Sequence, residues 1–152
     1  MGAFQLMITI DRPPEDVFAV IAEPERMPQW DEAVTQVTKT TVDPTTTGAR
    51  FQITRSLPGG QARNDMEITE YVPNRRITLE SRLGPTPFRY RYDLEPNRLG
   101  TVLTLDGRIS TAGLPRPAVH LDRLATKLFK QGMRQNLKQL ARLVEASQAS
   151  AA

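Results

Sequence analysis

A long two-faced segment near the C-terminus limits the folds open to this chain more than any other feature. Between about Pro117 and Ala146, apolar residues recur every three or four positions: Leu121, Leu124, Ala125, Leu128, Phe129, Met133, Leu137, Leu140 and Val144. Arg123, Lys127, Lys130, Arg134, Lys138 and Arg142 repeat with the same spacing on the other side. Read as a helix, the segment is roughly 45 Å long. A helix with one apolar face covers a core or a cavity, and one of this length needs a broad surface to lie across. Pro117 suits the first turn, where its missing N–H costs nothing. Gly132 falls within the apolar run, where glycine costs about 1 kcal/mol relative to alanine. It is therefore expected to mark a kink or a close approach of a sheet.

The rest of the chain supplies that sheet. Residues 3–10 (AFQLMITI) alternate apolar and polar and read as a first strand. Asp11-Arg-Pro-Pro breaks it; Asp11 can cap the next turn, and a proline opens a helix over residues 14–22. Pro24 stops that helix, and Pro28 limits residues 24–30 to a second short one ending at Trp30. From residue 33 to 111 the texture changes to short alternating runs between turns such as Asp43-Pro44, Pro58-Gly59-Gly60 and Pro73-Asn74. Thr35–Val42, Phe51/Ile53/Leu57, Met66/Ile68/Val72, Ile77/Leu79/Leu83, Phe88/Tyr90/Tyr92/Leu94 and Leu103/Leu105/Ile109 read as six further strands of an antiparallel meander. The expected class is α+β: seven antiparallel strands, two short helices between strands 1 and 2, and a long C-terminal helix. Seven twisted strands curl. One helix about 10 Å across lies in the concave side and leaves a cavity at its open end. A single domain over residues 1–146 is expected, with residues 147–152 as a frayed tail.

Charge and composition narrow the partners. The net charge is +3, yet seven of the chain's 20 Lys and Arg lie within residues 116–147 beside two acids, leaving 13 basic against 15 acidic residues elsewhere. The excess is one helix face. A solvated face explains it, and a weak contact with an anionic membrane is the alternative. Nucleic acid is not expected, because the stripe lacks interleaved aromatics. There are no cysteines and one histidine, His120. Disulfides and thiolate metal sites are thereby excluded, and a structural zinc site is not expected. The absence of cysteine, of a secretory-type N-terminus and of an 18-residue apolar run fits a cytoplasmic protein, monomer or homodimer, with no cofactor.

The segment DRPPEDVFAVIAEPERMPQWDEAVTQV, the stretch GARFQI, the strand–turn–strand EYVPNRRITLES and the ending MRQNLKQLARLVE together resemble the helix-grip fold of the START/polyketide-cyclase (SRPBCC) superfamily. The resemblance covers residues 3–146 and is carried by structural motifs. It implies a cavity for a small hydrophobic or amphipathic ligand, lipid-, isoprenoid- or polyketide-like. It implies no particular reaction: a carrier is the first reading, and a polyketide cyclase/dehydratase-type enzyme the alternative.

Candidate site residues follow from strand parity. Arg55 shares a face with Phe51 and Ile53, and Glu70 with Met66 and Ile68. Both either face the interior, pairing with a ligand or each other, or reach solvent near strand ends. They are the weak catalytic candidates, with His120 near the start of the long helix. Phe88, Tyr90 and Tyr92 share one face and offer rings and hydroxyls to a guest, or simply fill the core. Trp30, Phe51, Met66, Ile68, Leu121, Leu124 and Leu128 complete the expected lining. Asp106 is expected to be exposed. No phosphate-binding loop, G-x-S-x-G elbow, HExxH or EF-hand motif occurs in the sequence.

Overall fold

The fold is taken from a computed structural model that describes residues 2–57, 59–110 and 122–151. Strand β1 (Gly2–Ile10) leads into helix α1 (Pro14–Ile21) and a 3-10 helix (Pro24–Gln29). Six strands follow: β2 (Val34–Lys39), β3 (Arg50–Leu57), β4 (Gly60–Val72), β5 (Arg76–Ser81), β6 (Phe88–Pro96) and β7 (Thr101–Ile109). The long helix α2 (Asp122–Ala151) ends the described chain. All seven strands form one curved antiparallel sheet in the order β1-β7-β6-β5-β4-β3-β2. β1 and β2 occupy opposite edges, so the segment with the two short helices carries the chain from one edge of the sheet to the other. Pro at the start of each of these helices and Pro28 within the second keep them short.

The alternation expected from sequence sets the two faces. Inward residues of β6 (Phe88, Tyr90, Tyr92, Leu94) and of β7 (Leu103, Leu105, Ile109) are buried, as are Met133, Leu137, Leu140, Ala141 and Val144 of α2. Phe4 of β1 and Tyr90 of β6 both stand opposite Gly107 of β7. A Cβ there would lie 2.3 Å from the Phe4 ring. Only glycine leaves room for that ring between the strands, where it lies 6.4 Å from Tyr90. The convex face carries ion pairs instead: Arg76 with Asp93 at 2.6 Å, and Arg91 with Asp93 and Asp106, both at 3.1 Å. Asp106 thus stands on the outer face, where Gln5 also donates to it.

Three local expectations are corrected. Asp11 does not cap α1, whose N-cap is Pro13 without a side-chain bond. Its backbone N–H instead donates to Glu145 of α2, and the Arg12 guanidinium donates to the Glu145 carbonyl, tying the far end of α2 to the β1–α1 turn. Gly132 is exposed, and a Cβ there would meet nothing within 4 Å. It marks no close approach of the sheet. Gly132→Ala is therefore expected to stabilise the protein by about 1 kcal/mol, since only backbone entropy and helix propensity change. Thermal unfolding would show a rise of about 2–4 °C; a fall would mean that the helix needs its glycine. Finally, Leu128 is 59% exposed. It lies nine residues before Leu137, about two and a half turns, so the two point to opposite sides. α2 itself runs to Ala151.

Candidate functional site

The concave face is apolar except at one end, where Trp30, Asp31, Arg55, Asn64, Tyr90, Tyr92 and Asn136 gather. Arg55 is 5% exposed. The alternation of β3 drives its side chain inward beside Phe51 and Ile53. Its Nη2 donates to Asn64 Oδ1 (2.9 Å), Pro85 O (2.9 Å), Thr86 O (3.1 Å) and Thr86 Oγ1 (2.7 Å). Asn64 in turn donates to the carbonyls of Leu83 and Pro85. Two inward side chains thus pin the β5–β6 loop. Thr86 sits in that loop at φ 45°, an uncommon conformation for a β-branched residue. The guanidinium carbon lies 4.8 Å from the centroid of Phe88, which stacks on Tyr90 at 4.7 Å. Burial pulls the Arg55 pKa down, opposed by Tyr90 and then by Asp31. An arginine starts so high that it stays charged.

Asp31 is the residue that sequence reading missed. It follows Trp30 in the turn between the 3-10 helix and β2, where no periodicity applies. The Ala33 N–H donates to its Oδ1 at 3.0 Å, an Asx turn that starts the strand. That side chain is only 4% exposed. Burial is the main reason that its pKa rises from 3.8 to about 6, against the lowering effects of the Ala33 N–H, Arg55 and Asn136. Asn136, buried on α2, also accepts from the Glu32 N–H at 3.2 Å. Burial likewise holds the Tyr90 and Tyr92 hydroxyls above the usual phenol range, so both remain protonated donors.

Three buried polar atoms at this end have no hydrogen-bond partner among the described residues: Trp30 Nε1, Arg55 Nε and Tyr92 Oη. Trp30 and Tyr92 meet edge to face at 6.2 Å. Such atoms are rare in folded proteins, and each requires an explanation. Two can only donate, and the third can donate. Arg55 Nε belongs to the guanidinium that lies against Phe88. Behind Trp30, a cleft of about 370 Å³ opens between the 3-10 helix and α2, lined by Trp30, Glu32, Asn136, Gln139 and Arg142 among others.

The other expected residues sort as follows. Phe51, Met66 and Ile68 are buried in the core, with Phe51 opposite Met66. Glu70 is on the convex face, not the concave one. A bulge between Ile68 and Glu70 shifts the register by one, which reverses the facing of every later side chain on β4. Glu70 therefore accepts from Thr78 at 2.8 Å and lies 3.5 Å from Arg76 and 3.8 Å from Arg89. Those contacts, Thr78 first, lower its pKa. Val72 is exposed for the same reason, while Tyr71 takes its place inside against Phe18 at 5.3 Å. His120 and Leu121 lie outside the described residues, as does the side chain of Leu124. Among the described residues no group of three or more His, Cys, Asp or Glu is placed to hold a metal. No described helix is long and apolar enough to cross a membrane.

A curved sheet gripping a long helix, with a polar focus at one end of an apolar concave face, defines the START-like class. Residues 1–145 match the profile of the family described as "Polyketide cyclase / dehydrase and lipid transport". The chain belongs to that family. It is similar in structure to the protein TTHA0849 from Thermus thermophilus (TM-score 0.81, 20% identity, 96% of this chain and 99% of that one). A START superfamily protein from Mycobacterium smegmatis is also similar (TM-score 0.77, 15% identity, 95% and 97%). So is the di-domain aromatase/cyclase StfQ of the steffimycin biosynthetic pathway (TM-score 0.76, 14% identity, 97% of this chain and 51% of that one). At these identities the likeness concerns the fold alone. Among curated proteins, none matches by sequence.

Proposed function

We propose that this protein binds a small apolar or amphipathic molecule carrying an oxygen acceptor, between the concave sheet and α2. The observation that carries this reading is the set of buried donors without partners among the described residues, Trp30 Nε1, Arg55 Nε and Tyr92 Oη, next to aromatic rings. A bare structural core would have no use for them, because an unsatisfied buried polar group costs about 1–3 kcal/mol. A guest oxygen would satisfy them, while Phe88, Tyr90 and Tyr92 supply apolar contact. The family's lipid-transport members and the aromatase/cyclase relative agree with such a guest.

Tyr92→Phe separates this reading from core filling. It is expected to stabilise the free protein by about 1 kcal/mol, because an unpaired hydroxyl leaves the interior. It should also weaken binding of an oxygenated aromatic such as naphthol by roughly 5–10-fold, the loss of one hydrogen bond. Displacement of anilinonaphthalene sulfonate followed by thermal unfolding measures both. Lower stability with unchanged naphthol affinity would refute the proposal.

A cyclase/dehydratase-type activity is the second reading. One observation favours it: Asp31, a buried carboxyl whose burial pushes its pKa up to about 6, lies in the electrostatic range of Arg55 and both tyrosines. An acid–base group beside preorganised donors is what enolisation of a carbonyl compound requires. Glu70, on the convex face, is left out of it. Loss of turnover of a poly-β-keto thioester in Asp31→Asn, with naphthol affinity retained, would support this reading. Absence of turnover by the unaltered protein would end it for that substrate class.

A further inference from the structure

Arg55 is a buried cation whose hydrogen bonds go to neutral groups: an amide, two carbonyls and a hydroxyl. A buried positive charge needs a counter-charge. Tyr90 and then Asp31 act on it electrostatically; Asp31 is the carboxyl of the two, and it acts through space, without an ion pair between them among the described residues. Other groups around Asp31 are neutral or peripheral. Tyr90 and Tyr92 face it from β6 as protonated phenols, and Asn136 faces it from α2. Glu32 and Arg142 lie on the cleft side. Among the described residues the interior therefore holds one cation and one carboxyl that form no ion pair, with three unpartnered donors beside them.

We infer that the guest is a weak oxygen acid (a phenol, an enol or a carboxylic acid) that binds as its anion on Arg55, Trp30 and Tyr92 while Asp31 takes its proton. The inference rests on the binding reading above and narrows its ligand class. The step balances within the site. The guest's O–H bond breaks and leaves its electron pair on oxygen, and an O–H bond forms on Asp31. Asp31, Arg55 and the guest together carry zero net charge before and after, with carboxylate and guanidinium replaced by guest anion and guanidinium. No solvent proton is needed, so a neutral guest crosses the apolar surroundings without first ionising. Trp30 and Glu32, which flank Asp31 in the chain, and Asn136, which hydrogen-bonds to it, line the outer cleft. That cleft is the route by which Asp31 later returns to equilibrium with water.

The test uses para-nitrophenol, whose anion absorbs in the visible, and its methyl ether para-nitroanisole, which has no proton to give. The pH is set above the titration of Asp31 and below that of the free phenol. Bound nitrophenol should show the phenolate band. Calorimetry in two buffers of different ionisation enthalpy should count close to zero protons released per phenol bound. In Asp31→Asn the band should persist and the count should rise to about one, because the proton must then go to buffer. The unaltered protein alone repeats the contrast, its count rising from zero to about one as pH falls through the Asp31 titration. The ether should bind at least 10-fold more weakly than the phenol. A bound spectrum of neutral phenol, or a proton count that neither the variant nor pH changes, overturns the inference. If the ether then binds as well as the phenol, the apolar-guest reading stands without it. If neither probe binds, both readings fail for aromatic guests.

Discussion

Replacing Arg55 with Met is expected to lower the thermal midpoint by about 6–12 °C. That corresponds to roughly 3 kcal/mol at about 2–4 °C per kcal/mol for a chain of this size. Hydrogen bonds from a charged group contribute about 1.5–3 kcal/mol each, and Nη2 of Arg55 serves four oxygens on Asn64, Pro85 and Thr86. Relief of the buried charge offsets part of that, and Met fills much of the volume. Thr86 responds most. Its positive φ costs about 1–3 kcal/mol, and two of the lost bonds hold it there. Amides of residues 82–88 should therefore exchange with solvent faster, while those of β1 and β7 change only with global stability. Arg55→Lys should fail to restore the loop, because an ammonium group lacks the planar fork. A midpoint within about 2 °C of the original and unaltered exchange in the loop would mean that Arg55 does not pin it.

That residue also shows how far the sequence could be read. Period-two alternation predicted six of the seven strands, because each has one face in the core, and β-branched residues marked β2; alternation turned Arg55 inward through its parity with Phe51 and Ile53. Asn64 shares parity with Met66 and Ile68 and could have been placed by the same rule. The rule failed at Glu70 because one extra residue in the ladder reverses every later side chain, and a bulge leaves no mark in the apolar pattern. Leu128 was misplaced because spacings of three and four were counted locally, while the angle accumulates over nine residues. Asp31 was missed for a different reason. An aspartate after a helix end reads as an ordinary Asx turn, which it is. Its burial comes from tertiary packing, in which α2 meets that turn through a contact joining positions 104 residues apart along the chain.

Stability should fall as pH rises from about 4 to about 6, and Asp31→Asn should remove that fall. Burial raises the folded-state pKa of Asp31 from 3.8 to about 6. Within this window the folded chain keeps a proton that the unfolded chain has lost, so each step up in pH favours unfolding. By pH 7 the penalty approaches about 3 kcal/mol, at about 1.4 kcal/mol per pH unit. Glu70 works in the opposite sense, since its lowered pKa adds stability as pH rises. The informative quantity is therefore the difference between the two proteins at each pH. Asn keeps the oxygen that accepts from Ala33 and never ionises. The variant should match the original protein below pH 4 and exceed it by about 2 kcal/mol at pH 7, read from urea midpoints. An equal or lower midpoint at pH 7 would show that the carboxylate is adequately solvated or paired in the folded state. A stabilising substitution at a buried acid identifies a residue that folding alone does not favour. Here the carboxyl faces Arg55 and two phenols, so the destabilised proton position and the proposed guest oxygen occupy the same end of the sheet. The pH at which folding is weakest against this residue is also the pH at which it is ready to accept a proton.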